Sequence, residues 1–283
     1  MAKIKIKKFD DKADQFKWMA DNQVTLKAQR RAEPKKSDAI SFMSFAIDEK
    51  GERLAVKAKA DTTQEEVINE DVLKIRCIIN TTNFFDSHSD VHQVGIWKKS
   101  LKETAMLLLC YEHEMTYKGI LSDEVTAYTK NYTWKELGFP YDGETEALVF
   151  DCVLTKDNIT DDKKFMFDRY KNGKVYNHSV RMQYIKEYWC LNSEEAYATQ
   201  YKENWDKYIT SVANQDDAIA NGWFYAVTEA KIIEGSAVVR GSNSATPAIE
   251  YTEGKELAEK SLEENNPEPT VVTQTQKKKV FIN

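Results

Sequence analysis

Tyr176-Asn177-His178-Ser179-Val180-Arg181-Met182-Gln183-Tyr184 alternates in character residue by residue. Successive side chains of a strand point to opposite faces. One face therefore takes Asn177, Ser179, Arg181 and Gln183, and the other takes His178, Val180, Met182 and Tyr184. A strand with one apolar and one polar face belongs to a sheet packed on a core from one side. Ser179 is fixed on the polar face and is expected to look into a cleft. A plain exposed serine on an edge strand is the competing reading.

A second segment, Leu107-Leu108-Leu109-Cys110-Tyr111-Glu112-His113, is an apolar run that ends on a histidine. Alternation puts Leu107, Leu109, Tyr111 and His113 on one side, with the imidazole emerging where the strand stops. An imidazole with an ordinary pKa of ~6.5 can accept a serine proton at neutral pH. A surface histidine at a strand end is the plainer alternative. A third segment, Glu229-Ala230-Lys231-Ile232-Ile233-Glu234-Gly235-Ser236-Ala237-Val238-Val239, carries two carboxylates on a late strand. Chain order His, Ser, acid is then available.

Around these segments the pattern is strand-rich. Ile40–Ile47 and Glu52–Ala60 flank Asp48-Glu49-Lys50-Gly51 as a hairpin. Val72–Asn80, Ala105–His113, Gly119–Tyr128, Glu146–Thr155, Val175–Trp189 and Phe224–Val239 read as strands. Lys130–Gly143 reads as a loop on its Pro140 and Gly143. Ile96–Glu103 and Asp161–Lys171 read as helices, the latter ended by Asn172-Gly173. Ser193–Ala220 is a helical insertion stopped by Asn221-Gly222. The fold class is α+β, with a core over 38–250 expected to form a closed or partly open β-barrel with flanking helices. Residues 1–37 form a polar, charge-dense arm, mobile or docked on a partner, and 251–283 a flexible tail.

Composition limits the function classes. The 283 residues include 46 acidic and 40 basic ones, a net charge of −6. Nucleic-acid binding needs a clustered basic surface, which this balance disfavours. No apolar run approaches membrane-spanning or signal-peptide length. Cys77, Cys110, Cys152 and Cys190 form no CxxC pair, and each lies in an apolar run. They are expected to be buried free thiols, which implies a reducing compartment. Asp86-Ser87-His88-Ser89-Asp90-Val91-His92 has an HxxxH spacing that could hold a metal on a helix. Its serines and aspartates favour a loop instead.

Several of these motifs together resemble the prohead maturation proteases of tailed phages, relatives of the herpesvirus protease assemblin. The likeness covers about residues 75–250. It runs through the loop Asp86–Asp90, then Gly95-Ile96-Trp97 and Lys99-Ser100-Leu101, then Tyr111-Glu112-His113 with Gly119-Ile120. Ser179-Val180 follows, and last come Glu234-Gly235-Ser236-Ala237-Val238 and the turn Asn243–Ala248. Two departures stand out: Arg181 where the family has glycine, and the inserted Ser193–Ala220.

The resemblance implies an assemblin-like fold and a serine endopeptidase without cofactor or metal. Ser179 would be nucleophile, His113 general base and Glu234 the acid, with Glu229 as fallback. Backbone N–H groups near Ser179 and Arg181 would hold the oxyanion. Substrates would be phage scaffold and capsid proteins, and the chain itself, cut in the host cytoplasm inside the assembling procapsid. Self-association into dimers or larger assemblies is a further expectation. Two alternatives stay open: a non-catalytic capsid assembly or scaffold protein of the same fold, and a metal-dependent hydrolase built on His88, Asp90 and His92.

Overall fold

A computed structural model describes residues 9–38, 44–47, 50–51, 71–156, 161–175 and 177–239. The expected strand Glu52–Ala60, the turn Asn243–Ala248 and the tail 251–283 lie outside the described residues.

In chain order the elements are α1 (Lys12–Asp21), α2 (Gln23–Ala32), β1 (Lys35–Asp38), β2 (Ser44–Ala46), β3 (Val72–Thr81) and β4 (Asp90–His92). Then come α3 (Lys98–Glu103), β5 (Leu109–Tyr111), β6 (Ile120–Ser122), β7 (Val125–Thr133), β8 (Glu144–Thr155) and α4 (Asp161–Lys171). The long strand β9 (Asn177–Leu191), α5 (Thr199–Tyr208), α6 (Gln215–Asn221) and β10 (Trp223–Val238) complete the set. Short 3-10 turns at Ala196–Ala198 and Ile209–Ser211 bracket α5.

The chain is α+β, but among the described residues the strands form two open sheets rather than a closed barrel. One sheet has the order β1-β9-β10-β5-β6, with β4 also on β10; the other is β2-β3-β8-β7. The antiparallel pair β9–β10 is the backbone of the first sheet. Along the far edge of β10, β4 pairs in parallel at Tyr225–Val227 and β5 in parallel at Gly235–Ala237. Between them the Ile232 N–H donates to the Ser100 hydroxyl of α3 at 2.9 Å and the Ala230 N–H to the Ile96 carbonyl at 3.1 Å.

The main core lies between the sheets. Val180, Met182 and Tyr184 of β9 join Ile75, Cys77 and Ile79 of β3, Leu148 and Phe150 of β8, and Met166, Phe167 and Tyr170 of α4. These even-numbered residues of β9 are the apolar face expected from the alternation. Gly235 allows the sheets to close: a Cβ there would stand 2.8 Å from the Phe150 ring. All four cysteines are free and buried.

Several sequence expectations need correction. Residues 12–38 are not a mobile arm: they fold as α1, α2 and β1. Asp11 caps α1, its side chain accepting from the Ala13 N–H at 3.0 Å. Met19 and Leu26 are buried against Trp189, Leu191 and Tyr225. Gly119–Tyr128 is two strands, broken at Asp123-Glu124, and β7 runs on to Thr133 within the expected loop. The insertion after β9 is helical as expected. It packs Trp205 against Phe224 (5.2 Å between ring centroids) and Tyr201 against Trp189 (4.7 Å).

Candidate active site

Three local features of β10 and β5 bring Ser179, His113 and Glu234 together. The first is cross-strand register. Ser236 lies directly opposite Ser179, and Glu234 opposite Arg181. Directly opposed residues share a face, so Ser179, Ser236 and Glu234 project from the same side of the sheet.

The second feature is a β-bulge. Pairing shifts between Ile232, which opposes Met182, and Glu234, which opposes Arg181. In an unbroken strand residues 232 and 234 would share a face. The extra residue Ile233 lets Ile232 enter the core with Met182 while Glu234 turns to the serine side. Bulges re-aim side chains in this way.

The third is the turn that carries His113. The strand expected over Ala105–His113 ends at Tyr111, so His113 is not its last residue. Tyr111–Glu114 is a tight turn closed by the Glu114 N–H on the Tyr111 carbonyl at 2.8 Å. Both central residues are left-handed, Glu112 at φ 48° and His113 at φ 61°. Neither is glycine or asparagine, so each carries backbone strain of roughly 1–2 kcal/mol. Hydrogen bonds hold the turn down on β10. Glu112 N–H donates to the Ala237 carbonyl (2.9 Å), and the Glu112 carboxylate accepts the Val239 N–H (2.7 Å). Gly119 is required where the loop returns: a Cβ there would stand 2.1 Å from the Glu114 carbonyl oxygen.

The result is a continuous hydrogen-bonded chain. His113 Nε2 lies 2.9 Å from Ser179 Oγ, and His113 Nδ1 lies 2.6 Å from Glu234 Oε1. The carboxylate accepts, so Nδ1 carries the proton and Nε2 is left to accept from the serine hydroxyl. Glu234 is fully buried and the His113 side chain is 6% exposed.

Other candidates lie elsewhere. Glu229, the fallback acid, pairs with Lys99 (3.3 Å) and Lys186 (3.0 Å) instead of the imidazole. His178 points to the opposite face, as expected, with Nε2 2.9 Å from the Tyr170 hydroxyl. Burial lowers its pKa to about 3. The segment with the HxxxH spacing is not helical, and its last three residues are β4. His92 uses both ring nitrogens, on Asn80 Oδ1 (2.9 Å) and the Tyr184 hydroxyl (3.0 Å). Among the described residues no group of three or more His, Cys, Asp or Glu side chains is placed to hold a metal.

Two expectations at Ser179 are not met. The serine does not look into an open cleft; it is completely buried. Nor are the N–H groups around Ser179 and Arg181 free to hold an oxyanion. β9 is laddered on one edge by β10 and on the other by β1, where Asp38 opposes Ser179 and Lys36 opposes Arg181.

A polar cluster that the sequence did not single out ties the N-terminal helices to the same strand. Arg30 of α2 reaches Asp90 of β4 (2.5 Å) and Glu187 of β9 (2.6 Å). The Tyr184 hydroxyl donates to the other Asp90 oxygen at 2.9 Å. Burial would lower the Arg30 pKa, but Asp90 and Glu187 outweigh it and hold the guanidinium protonated. Asp86 is the reverse case: burial, then the Asp90 charge, raise its pKa well above the usual range. Alternation alone marked Glu187 as a strand residue, but nothing in the sequence paired it with Arg30.

No family model, curated protein or solved structure matches this chain. Among the described residues no helix is long and apolar enough to cross a membrane.

Proposed function

We propose that this chain is a serine endopeptidase in which Ser179 is nucleophile, His113 general base and Glu234 the residue that orients the base. The observation that carries this reading is the unbroken chain Ser179 Oγ, His113 Nε2, His113 Nδ1, Glu234 Oε1, with links of 2.9 and 2.6 Å. In the reaction His113 Nε2 takes the Ser179 proton as Oγ bonds to the carbonyl carbon. The same proton passes to the leaving nitrogen as the C–N bond breaks, and water then releases the acyl group by the reverse proton path. Glu234 keeps Nδ1 protonated and balances the imidazolium charge.

The likeness of the motifs to phage prohead proteases supports an assemblin-like fold and scaffold or capsid proteins as substrates, cut during procapsid maturation. Ser179 is completely buried, so access to it then requires the fold to open around β9, whose edge away from β10 is paired to β1. A single observation favours a second reading. A serine and histidine this deeply buried also suit a structural hydrogen-bond network in a non-catalytic assembly protein. Treatment with a fluorophosphonate probe separates the two. A catalytic serine gives a covalent adduct on the peptide containing Ser179, abolished in Ser179→Ala while the variant stays folded. Absence of any adduct, with the protein folded and exposed to probe for long periods, overturns the protease reading.

A further inference from the structure

Glu234 has two carboxylate oxygens, and His113 accounts for only one. The other, Oε2, accepts the Ser236 hydroxyl proton at 2.6 Å. That hydroxyl oxygen in turn accepts the backbone N–H of His113 at 3.1 Å. Ser236 is fully buried, as is Glu234. The three residues therefore close a ring: His113 N–H to Ser236, Ser236 to Glu234, and Glu234 back to the His113 imidazole.

From this ring we infer that Ser236 is a positioning residue for the base, acting at two points at once. At one end it donates to Glu234 Oε2, which fixes the buried carboxylate with its other oxygen on the imidazole. At the other it anchors the backbone of a residue held at φ 61°. A left-handed non-glycine residue persists only where its surroundings over-determine it. The inference deepens the reading of Ser179 as nucleophile and rests on it for its kinetic consequence, although the ring itself does not depend on activity.

The consequence of removing the hydroxyl follows from the hydrogen-bond inventory. In Ser236→Ala, Oε2 has no donor in a buried site, so the carboxyl group takes up a proton more readily. A protonated Glu234 can donate to Nδ1, which moves the imidazole proton to Nε2. That tautomer cannot accept the proton of Ser179. The active form then requires higher pH, and the acid limb of the pH profile moves upward. One charge-assisted hydrogen bond corresponds to a shift of about one pH unit or more, and to a loss on the order of 10–100-fold on the acid side of the limb.

The test measures the rate of fluorophosphonate labelling of Ser179 against pH in wild type, Ser236→Ala, Ser236→Cys and Glu234→Gln. Ser236→Ala should show the raised acid limb, with partial rescue by the near-isosteric Ser236→Cys. Adding Ser236→Ala to Glu234→Gln should lower the rate little further, because the carboxylate it serves is gone. A uniform loss at every pH, full additivity in the double variant, or an unchanged profile overturns the inference. NMR supplies a readout independent of labelling and of the variants' folding. In the wild-type protein the His113 amide should be protected from exchange, and its Nδ1 proton should appear at low field. A rapidly exchanging amide overturns the anchor. If wild type never labels, the protease reading has failed. The positioning inference then stands or falls on whether the low-field proton shifts in a folded Ser236 variant.

Discussion

Replacing Arg30 by methionine tests whether residues 12–38 belong to the fold or merely lie on it. The substitution keeps an unbranched stem and removes the guanidinium. Asp90 and Glu187 are 1% and 0% exposed, and Arg30 is the closest cation to both. Removing one partner of a buried ion pair costs ~3–5 kcal/mol, because the other charge is left without compensation. Two features of the site soften this. The Tyr184 hydroxyl still donates to Asp90, and Arg31 lies 3.6 Å from Glu187. One feature adds to it: the guanidinium sits 3.9 Å from the centre of the Tyr225 ring, a contact worth roughly 0.5–2 kcal/mol. The expected loss is about 4 kcal/mol, a large share of the ~5–15 kcal/mol that holds a domain folded. Equilibrium urea unfolding followed by tryptophan fluorescence measures it. The companion variant Arg30→Met/Asp90→Asn/Glu187→Gln removes every charge of the cluster and should recover more than half of the loss. A loss under about 1 kcal/mol in the single variant refutes the reasoning. So does a triple variant no more stable than the single one.

Two further outcomes are expected. Burial depresses the His178 pKa to about 3 from an ordinary ~6.5, so between those values the native protein holds fewer protons than the unfolded chain. Stability supported by neutral His178 is therefore present above ~pH 6.5 and lost as pH falls. Relative to His178→Gln, wild type should lose about 2 kcal/mol between pH 7 and 5, read by urea unfolding at each pH. The difference cancels the opposing contribution of Asp86, and a flat difference would show that His178 takes up its proton in the fold as readily as in the unfolded chain. The second outcome concerns β1, whose backbone is paired to β9 beside Ser179. Only one of two adjacent edge-strand N–H groups faces the partner strand. Of Lys36→Pro and Ser37→Pro, one should thus break the ladder and speed labelling of Ser179, and the other should not. Equal rates in both, unchanged from wild type, would mean that β1 does not cover the serine.

Much of this arrangement was legible because it depends on period-two patterning. Val180, Met182 and Tyr184 declare the core face of β9, so Ser179 is assigned to the other face by alternation alone. Asp161–Lys171 is a helix with the boundaries its acidic start and Asn172-Gly173 end mark out. The N-terminal helices were missed for an equally physical reason. α1 and α2 are polar over most of their surface and bury few side chains, chiefly Met19, Gln23 and Leu26. What fixes them is a few apolar contacts, chiefly Met19 and Leu26 on Trp189, Leu191 and Tyr225, together with Arg30; all these partners lie far along the chain, and no local window contains that information. Of the closed or partly open barrel expected, the strand-rich α+β sheets are present and closure is not found among the described residues, since alternation specifies faces but not whether a sheet's edges meet.

The chain Ser179–His113–Glu234 combines legible and illegible parts. His113 was placed by extending a strand that in fact stops at Tyr111, and its side chain arrives by a left-handed turn. Neither Glu112 nor His113 is a residue that announces such a turn. Glu234 was assigned through a motif, whereas its orientation depends on the bulge at Ile233, which reads in sequence as one more residue of an apolar strand. Strict alternation from Ile232 would have sent the carboxylate into the core between the sheets. Local propensity is contradicted at both places, and the contradictions converge on one imidazole. Both departures from the local rule are held in place by the closed ring through Ser236, in a fold otherwise governed by alternation.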